Sequence, residues 1–90
     1  MTREDCLFYL RERNYTVTSQ RKILINYFCN NREKAVSAKA IISDLKKTNK
    51  KISFDTIYKN LNLFVDIQIL KYEEIEDEKH FYLGNPNSKG

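Results

Sequence analysis

Glycine is nearly missing from this chain: only Gly84 and Gly90 occur, both within the last seven residues. That excludes a glycine-rich loop able to cradle phosphates through its backbone amides. Histidine occurs once, as His80, so no nucleophile and base pair of the Ser–His or Cys–His kind is apparent, and catalysis is not expected. Cys6 and Cys29 are the two cysteines, each beside apolar residues and neither next to a second Cys or a His. Two are too few for a zinc finger or ribbon, and both read as reduced thiols packed in or near a core. No run approaches the roughly 18 apolar residues of a membrane span, and the opening "MTREDC" lacks a signal peptide's apolar stretch. The expected location is the cytoplasm, with no membrane partner.

What is present suits one soluble domain. The 90 residues can enclose a single core but leave no room for a separate substrate domain. Hydrophobic residues make up 41% and charged residues 31%, a balance that permits a packed core. The net charge of +4 is unevenly spread. Residues 1–72 carry 14 Lys and Arg against 7 Asp and Glu, whereas "EEIEDE" at 73–78 adds five acids and no base. A basic body of this kind suits a polyanionic partner, although many inert surfaces are equally basic.

Apolar spacing predicts four helices, each preceded by a capping residue. The first covers about Arg3 to Arg13 after Thr2, with Cys6, Leu7 and Leu10 inward and Phe8 and Tyr9 widening the apolar surface. The second follows Thr18, with Ile23, Leu24, Tyr27 and Phe28 on its face, and ends at "NNREK". The third follows Ser37, with Ala38, Ile41, Ile42 and Leu45. The fourth starts at Ser53 or Phe54, with Phe54, Ile57, Leu61, Phe64 and Val65 expected to face the core. Beyond Asp66, "ILKYEEI" and "HFYL" read as a β-hairpin around the polar "EDEK". No glycine is available there for a tight primed turn, so a longer or irregular loop is expected. The fold class is therefore mainly α with a small β-hairpin, a winged helix-turn-helix over residues 1–83, with 84–90 as a flexible tail or the start of a linker.

The fourth helix offers more than a core stripe. Ser53, Asp55, Thr56, Tyr58 and Lys59 occupy its first two turns, where a helix entering a major groove presents groups to base edges and phosphates. Helical geometry alone leaves two roles open for Tyr58: lying flat on a neighbouring helix, or reaching outward. The acids Glu73, Glu74, Glu76, Asp77 and Glu78 fit a solvated loop, since their spacing supplies neither a calcium loop nor a catalytic carboxylate pair.

The segment "ISFDTIYKNLNLF", Ile52 to Phe64, resembles the recognition-helix pattern of the ferric uptake regulator family. "VTSQR", opening the second helix, "VSAKAI", Val36 to Ile41, and "LKYEEIEDEKHFYL" fall in the family's order around it, so the resemblance spans about residues 4–83. The wording "ISFDTIY" is most similar to the zinc uptake regulator branch. The resemblance implies the N-terminal DNA-binding domain of a bacterial metal-responsive repressor, its recognition helix at about 54–65 in the major groove of AT-rich inverted repeats. It implies that Tyr58 meets thymine methyls, that Lys59 meets base or backbone, and that Thr18 and Arg21 approach phosphates. No cofactor is expected in this domain. Zinc or iron(II) is expected in the full-length protein, and a homodimer only through a C-terminal domain absent from this chain.

The chain departs from the family pattern in several places. Lys34 and Ala35 stand where a histidine often lies, and Tyr82, Gly84 and Asn85 occupy the neighbourhood of a sensor ligand, so no metal site is expected and His80 is the sole weak candidate. Thr16 replaces a common minor-groove lysine, leaving Arg13 to reach in its place. Gln68 stands where most members have Gly, and the acidic wing tip would repel phosphate. The rival reading is a winged-helix protein-interaction module that uses Phe8 and Tyr9 and binds no DNA.

Overall fold

A computed structural model describes residues 2–32, 34–49 and 51–84. Of the expected tail, residues 85–90 lie outside the described residues. Four helices and three strands follow one another as α1 (Arg3–Glu12), α2 (Ser19–Asn30), β1 (Val36–Ser37), α3 (Ala38–Lys46), α4 (Phe54–Asp66), β2 (Leu70–Ile75) and β3 (Glu78–Leu83). This is the winged helix-turn-helix that the apolar spacing predicts, with α3 and α4 as the helix pair and β2–β3 as the wing.

Local chemistry starts and stops the helices where the sequence suggests. Thr2 and Asp5 form a reciprocal capping box, Thr2 Oγ1 accepting from the Asp5 amide at 3.1 Å and Asp5 Oδ2 from the Thr2 amide at 3.0 Å. Thr18 and Ser37 cap α2 and α3 in the same sense, accepting from the amides of Arg21 and Ala40. The ends of α1 and α4 share a second device. Asn14 and Gln68 both adopt positive φ, 63° and 70°, and the following amides of Tyr15 and Ile69 reach back to the carbonyls of Leu10 and Phe64. Each helix thus closes in a Schellman turn, which satisfies carbonyls that would otherwise be orphaned. Gln68 is therefore held in a backbone conformation that strains a side chain.

The sheet corrects two expectations. It has three strands in the order β1-β3-β2, all antiparallel, because Val36 and Ser37 pair with Phe81 and His80 and add an edge strand to the hairpin. A strand of two residues leaves no periodicity in a sequence. The wing turn is also tight rather than irregular: Ile75 pairs with Glu78, and Glu76 and Asp77 alone make the turn at φ 52° and 67°. Both central residues take the left-handed conformation of a type I′ turn without glycine, which Asp tolerates better than most side chains.

One core joins these elements, with Phe28, Phe64 and Phe81 among its largest fully buried side chains, one each from α2, α4 and β3. Cys6, Leu7 and Leu10 of α1, Ile41, Ile42 and Leu45 of α3, and Ile57, Leu61 and Phe64 of α4 are buried as the stripes predict. In α2 the buried set is Leu24, Ile25 and Phe28, with Ile23 and Tyr27 half-buried, because the helix is covered from more than one side. Phe54 does not face the core. It is 46% exposed, since the helix turns its first residue away from the apolar layer that begins at Ile57. Polar ties fix the helices to one another: Arg3 Nε donates to Asn26 Oδ1 at 2.6 Å, and the Tyr27 hydroxyl donates to Asp44 Oδ2 at 2.6 Å.

Candidate nucleic-acid interface

The N-terminal half of α4 carries five of the residues that the sequence singles out. Ser53, Asp55, Tyr58 and Lys59 are exposed and Thr56 is half-buried, while Ile57 and Leu61 anchor the opposite face in the core. An amphipathic helix held this firmly from behind presents its outer groups as a rigid row. Its start also differs from those of the other three helices, for Ser53 at the N-cap makes no side-chain capping bond. The first-turn amides of α4 therefore lack the internal acceptor that Thr2, Thr18 and Ser37 provide elsewhere, and a helix start of this kind favours an anion.

Tyr58 is 38% exposed and stacks on Phe54, ring centroids 5.8 Å apart and planes within 9° of parallel. Of the two roles left open for Tyr58, reaching outward is the one favoured by this exposure and by a ring partner on its own helix. The two rings form one wall of a groove of about 360 Å³ between α4 and the wing, closed by Ala38, Lys39 and Phe81 and rimmed by Glu74, Asp77, Glu78 and Lys79. Lys39 and Glu78 face each other across this rim at 3.8 Å, both exposed, an ion pair of little energetic weight.

Thr18 and Arg21 lie at the start of α2, and both side chains have internal tasks. Thr18 Oγ1 is the α2 cap. Arg21 donates from Nε to Asn60 Oδ1 at 3.0 Å and from Nη1 to the Thr16 carbonyl at 2.6 Å, and its guanidinium lies 5.9 Å from the Tyr15 ring centroid. Asn60 is the one buried polar side chain of the core among the described residues, 7% exposed, on the inner face of α4 between Ile57 and Leu61. Arg21 thus pins the start of α2 and the loop before it to the middle of α4. Arg13 stands apart at the end of α1, its guanidinium 3.6 Å from the centroid of the Tyr9 ring.

Sequence reasoning missed two of these residues. Asn60 carries a readable signal, because a polar side chain three residues after Ile57, on the inward stripe, requires a buried partner. Phe54 was misassigned because an aromatic residue at the first helical position satisfies an apolar stripe and a surface platform equally well.

His80 lies half-buried on β3, opposite Ser37 and Glu73, with Nε2 3.8 Å from Glu78 Oε1. Among the described residues no three His, Cys, Asp or Glu side chains come together as a metal would require. Nor is any helix among them long and apolar enough to cross a membrane.

Comparison with known proteins gives this surface a context. The sequence profile of the ferric uptake regulator family matches residues 12–89. The ferric uptake regulation protein of Staphylococcus epidermidis is 33% identical over 87 residues, which are 97% of this chain and 62% of that protein. The solved structure "Structure of GAS PerR-Zn-Zn" superposes with a TM-score of 0.82 at 27% identity, over 91% of this chain and 53% of the other. The ferric uptake regulator from Francisella tularensis with iron superposes at 0.75 and 23% identity, over 82% and 57%. The chain thus spans 62% of the length of the curated relative and about half that of the PerR structure.

Proposed function

The chain belongs to the ferric uptake regulator family, and from that premise we propose that it is the DNA-binding domain of a metal-responsive transcriptional repressor. Its α4 docks in the major groove. The observation that carries this reading is the outer face of α4: an uncapped helix start, exposed Ser53, Asp55 and Lys59, and two exposed rings, backed by a buried stripe that the helix cannot rotate without opening the core. Lys59 and the other exposed lysines of α2 to α4 supply salt-dependent affinity for phosphates, and Tyr58 and Thr56 read base edges. Thr18 and Arg13 approach the backbone from α2 and the end of α1, and Arg21, held by its bonds to Asn60 and Thr16, braces α4 behind them. The acidic wing, Glu73 to Glu78, keeps clear of phosphate.

An AT-rich inverted repeat is the expected site, and two copies of the chain must occupy it for tight binding, so a lone copy binds weakly. Zinc or iron(II) acts on the full-length protein, where a further domain would hold it and join two copies. The zinc-uptake reading rests on the wording of Ile52 to Tyr58 alone. Location in the cytoplasm follows from the need to reach DNA.

The rival, a protein-docking face on α1, loses support because that face is small. Phe8 is 62% exposed, but Tyr9 is half-buried and covered by Arg13. A salt titration with Lys59→Ala separates the two readings. With about four to six phosphate contacts, log affinity for an AT-rich duplex should fall with log salt at a slope of about −4 to −5. The variant should bind more weakly, with the slope smaller by about 1. Unchanged affinity and slope would refute the assignment of α4.

A further inference from the structure

The groove between α4 and the wing is built for a charge opposite to that of DNA. Its walls are aromatic: Phe54 and Tyr58 lie with planes within 9° of parallel, and Phe81 adds a third ring. Its rim sets three carboxylates, Glu74, Asp77 and Glu78, against two lysines, Lys39 and Lys79. We propose that this groove binds a small organic cation with an aromatic body, and that its occupant and DNA exclude one another. The exclusion rests on α4 being the helix that docks on DNA; the binding of the cation does not.

Both rim lysines are already engaged. Lys39 Nζ lies 3.8 Å from Glu78 Oε2, whose other oxygen lies 3.8 Å from His80 Nε2. Glu74 and Lys79 are direct cross-strand partners, yet Lys79 Nζ leans to the Tyr72 ring, 4.7 Å from its centroid. Among the described residues, Glu74 and Asp77 have no ion-pair partner, and both are exposed, so two carboxylates are left for a ligand. An anion would meet like charge at this entrance, and a neutral apolar guest would leave both carboxylates uncompensated beside it. A cation with an aromatic body answers both halves of the groove: its charge meets Glu74 and Asp77, and its ring packs on Phe54 and Tyr58, whose faces also attract positive charge. The volume of about 360 Å³ suits a small ligand. Tyr58 lines the groove and belongs to the outer face of α4, so an occupant covers a side chain that DNA needs.

Benzyltrimethylammonium, titrated into the nitrogen-15-labelled 90-residue chain and followed by amide chemical shifts, tests the site. Shifts should cluster at the start of α4 and at the wing turn, while neutral benzyl alcohol and anionic benzoate at the same concentrations should leave those amides in place. Glu74→Gln combined with Asp77→Asn should weaken the cation about five- to tenfold, each exposed charge contributing a few-fold. Both changes keep the side-chain shape, and asparagine tolerates the left-handed backbone at position 77. Lys39→Ala, which frees Glu78, should tighten binding by about twofold, a gain that damage to the fold would not produce. At constant ionic strength the cation should also displace a bound AT-rich duplex, with correspondingly more needed for the double variant. No shifts at the groove, or equal shifts from benzyl alcohol, would overturn the site whether or not DNA is bound. Groove shifts without displacement of a bound duplex would overturn the exclusion alone. If no duplex is bound at any salt concentration, the exclusion falls with the DNA reading, and the shifts still decide the cation site.

Discussion

Replacing Arg21 with alanine separates a structural clasp from a phosphate contact. Asn60 Oδ1 sits in a side chain that is 7% exposed and receives its hydrogen bond from Arg21 Nε at 3.0 Å. Removing the donor strands a buried acceptor, which costs about 1–3 kcal/mol. The Thr16 carbonyl also loses its partner, but it is solvent-accessible and water takes over that bond at little cost. Loss of the guanidinium near the Tyr15 ring adds about 0.5–1 kcal/mol. Arg21→Ala should therefore destabilise the domain by about 2–3 kcal/mol. Asn60→Ala should cost less, about 1–2 kcal/mol, because the half-buried guanidinium it releases can turn to water. In the double variant no acceptor is stranded, so the two effects should fall short of additivity by about 1 kcal/mol or more. Urea unfolding of the four proteins, with unchanged m-values, measures this coupling. Additivity within about 0.3 kcal/mol would show that the bond carries nothing and would sink the argument. Arg21→Lys should not rescue the loss, since an ammonium lacks the fork that spans Asn60 and Thr16. On DNA, Arg21→Ala should lower affinity by loosening α4 while leaving the salt slope near its parental value. A slope smaller by about 1 would instead mark Arg21 as a direct phosphate contact.

Two further outcomes follow from the backbone and the core. Gln68→Gly should stabilise the domain by about 0.5–1 kcal/mol, the relief of a left-handed side chain less the extra freedom glycine has when unfolded, seen as a rise in Tm of about 3–6 °C. An unchanged or lower Tm would mean that the Schellman turn carries no strain. Burial pushes the Cys6 thiol up to about 11 from an ordinary value of 9.0, and burial with the bond to Asp44 raises the Tyr27 hydroxyl as well. The fold favours the protonated thiol, so this contribution is complete below pH 9 and is lost as pH climbs through about 11, where the unfolded chain gives up a proton that the folded one retains. Urea midpoints between about pH 8 and pH 11 should fall accordingly, and Cys6→Ala, though less stable overall, should show a shallower fall; parallel curves would assign the decline to other groups.

The sequence by itself determined which segments become helices and which faces turn inward. Thr2, Thr18 and Ser37 fill caps, and the repeats through Cys6, Leu10, Ile41, Ile57 and Leu61 match the buried stripes, because capping and amphipathic period act over a few residues. The order of "VTSQR", "VSAKAI" and "DTIYKNL" was likewise enough to indicate the family. Only the tertiary structure decided what depends on residues distant in the chain. Val36 and Ser37 become a strand because β3, some 44 residues away, offers them an unpaired edge. Glu76 and Asp77 are driven into a tight turn because the pairing of Leu70–Ile75 with Glu78–Leu83 fixes the register and leaves two residues to close it. Arg21 and Asn60, 39 positions apart, meet because α2 and α4 pack, which gives an apparent surface base an interior partner. Phe54 could have completed the stripe below it or joined Tyr58 above. The core layer begins one turn later at Ile57, and that rotation left its ring on the surface.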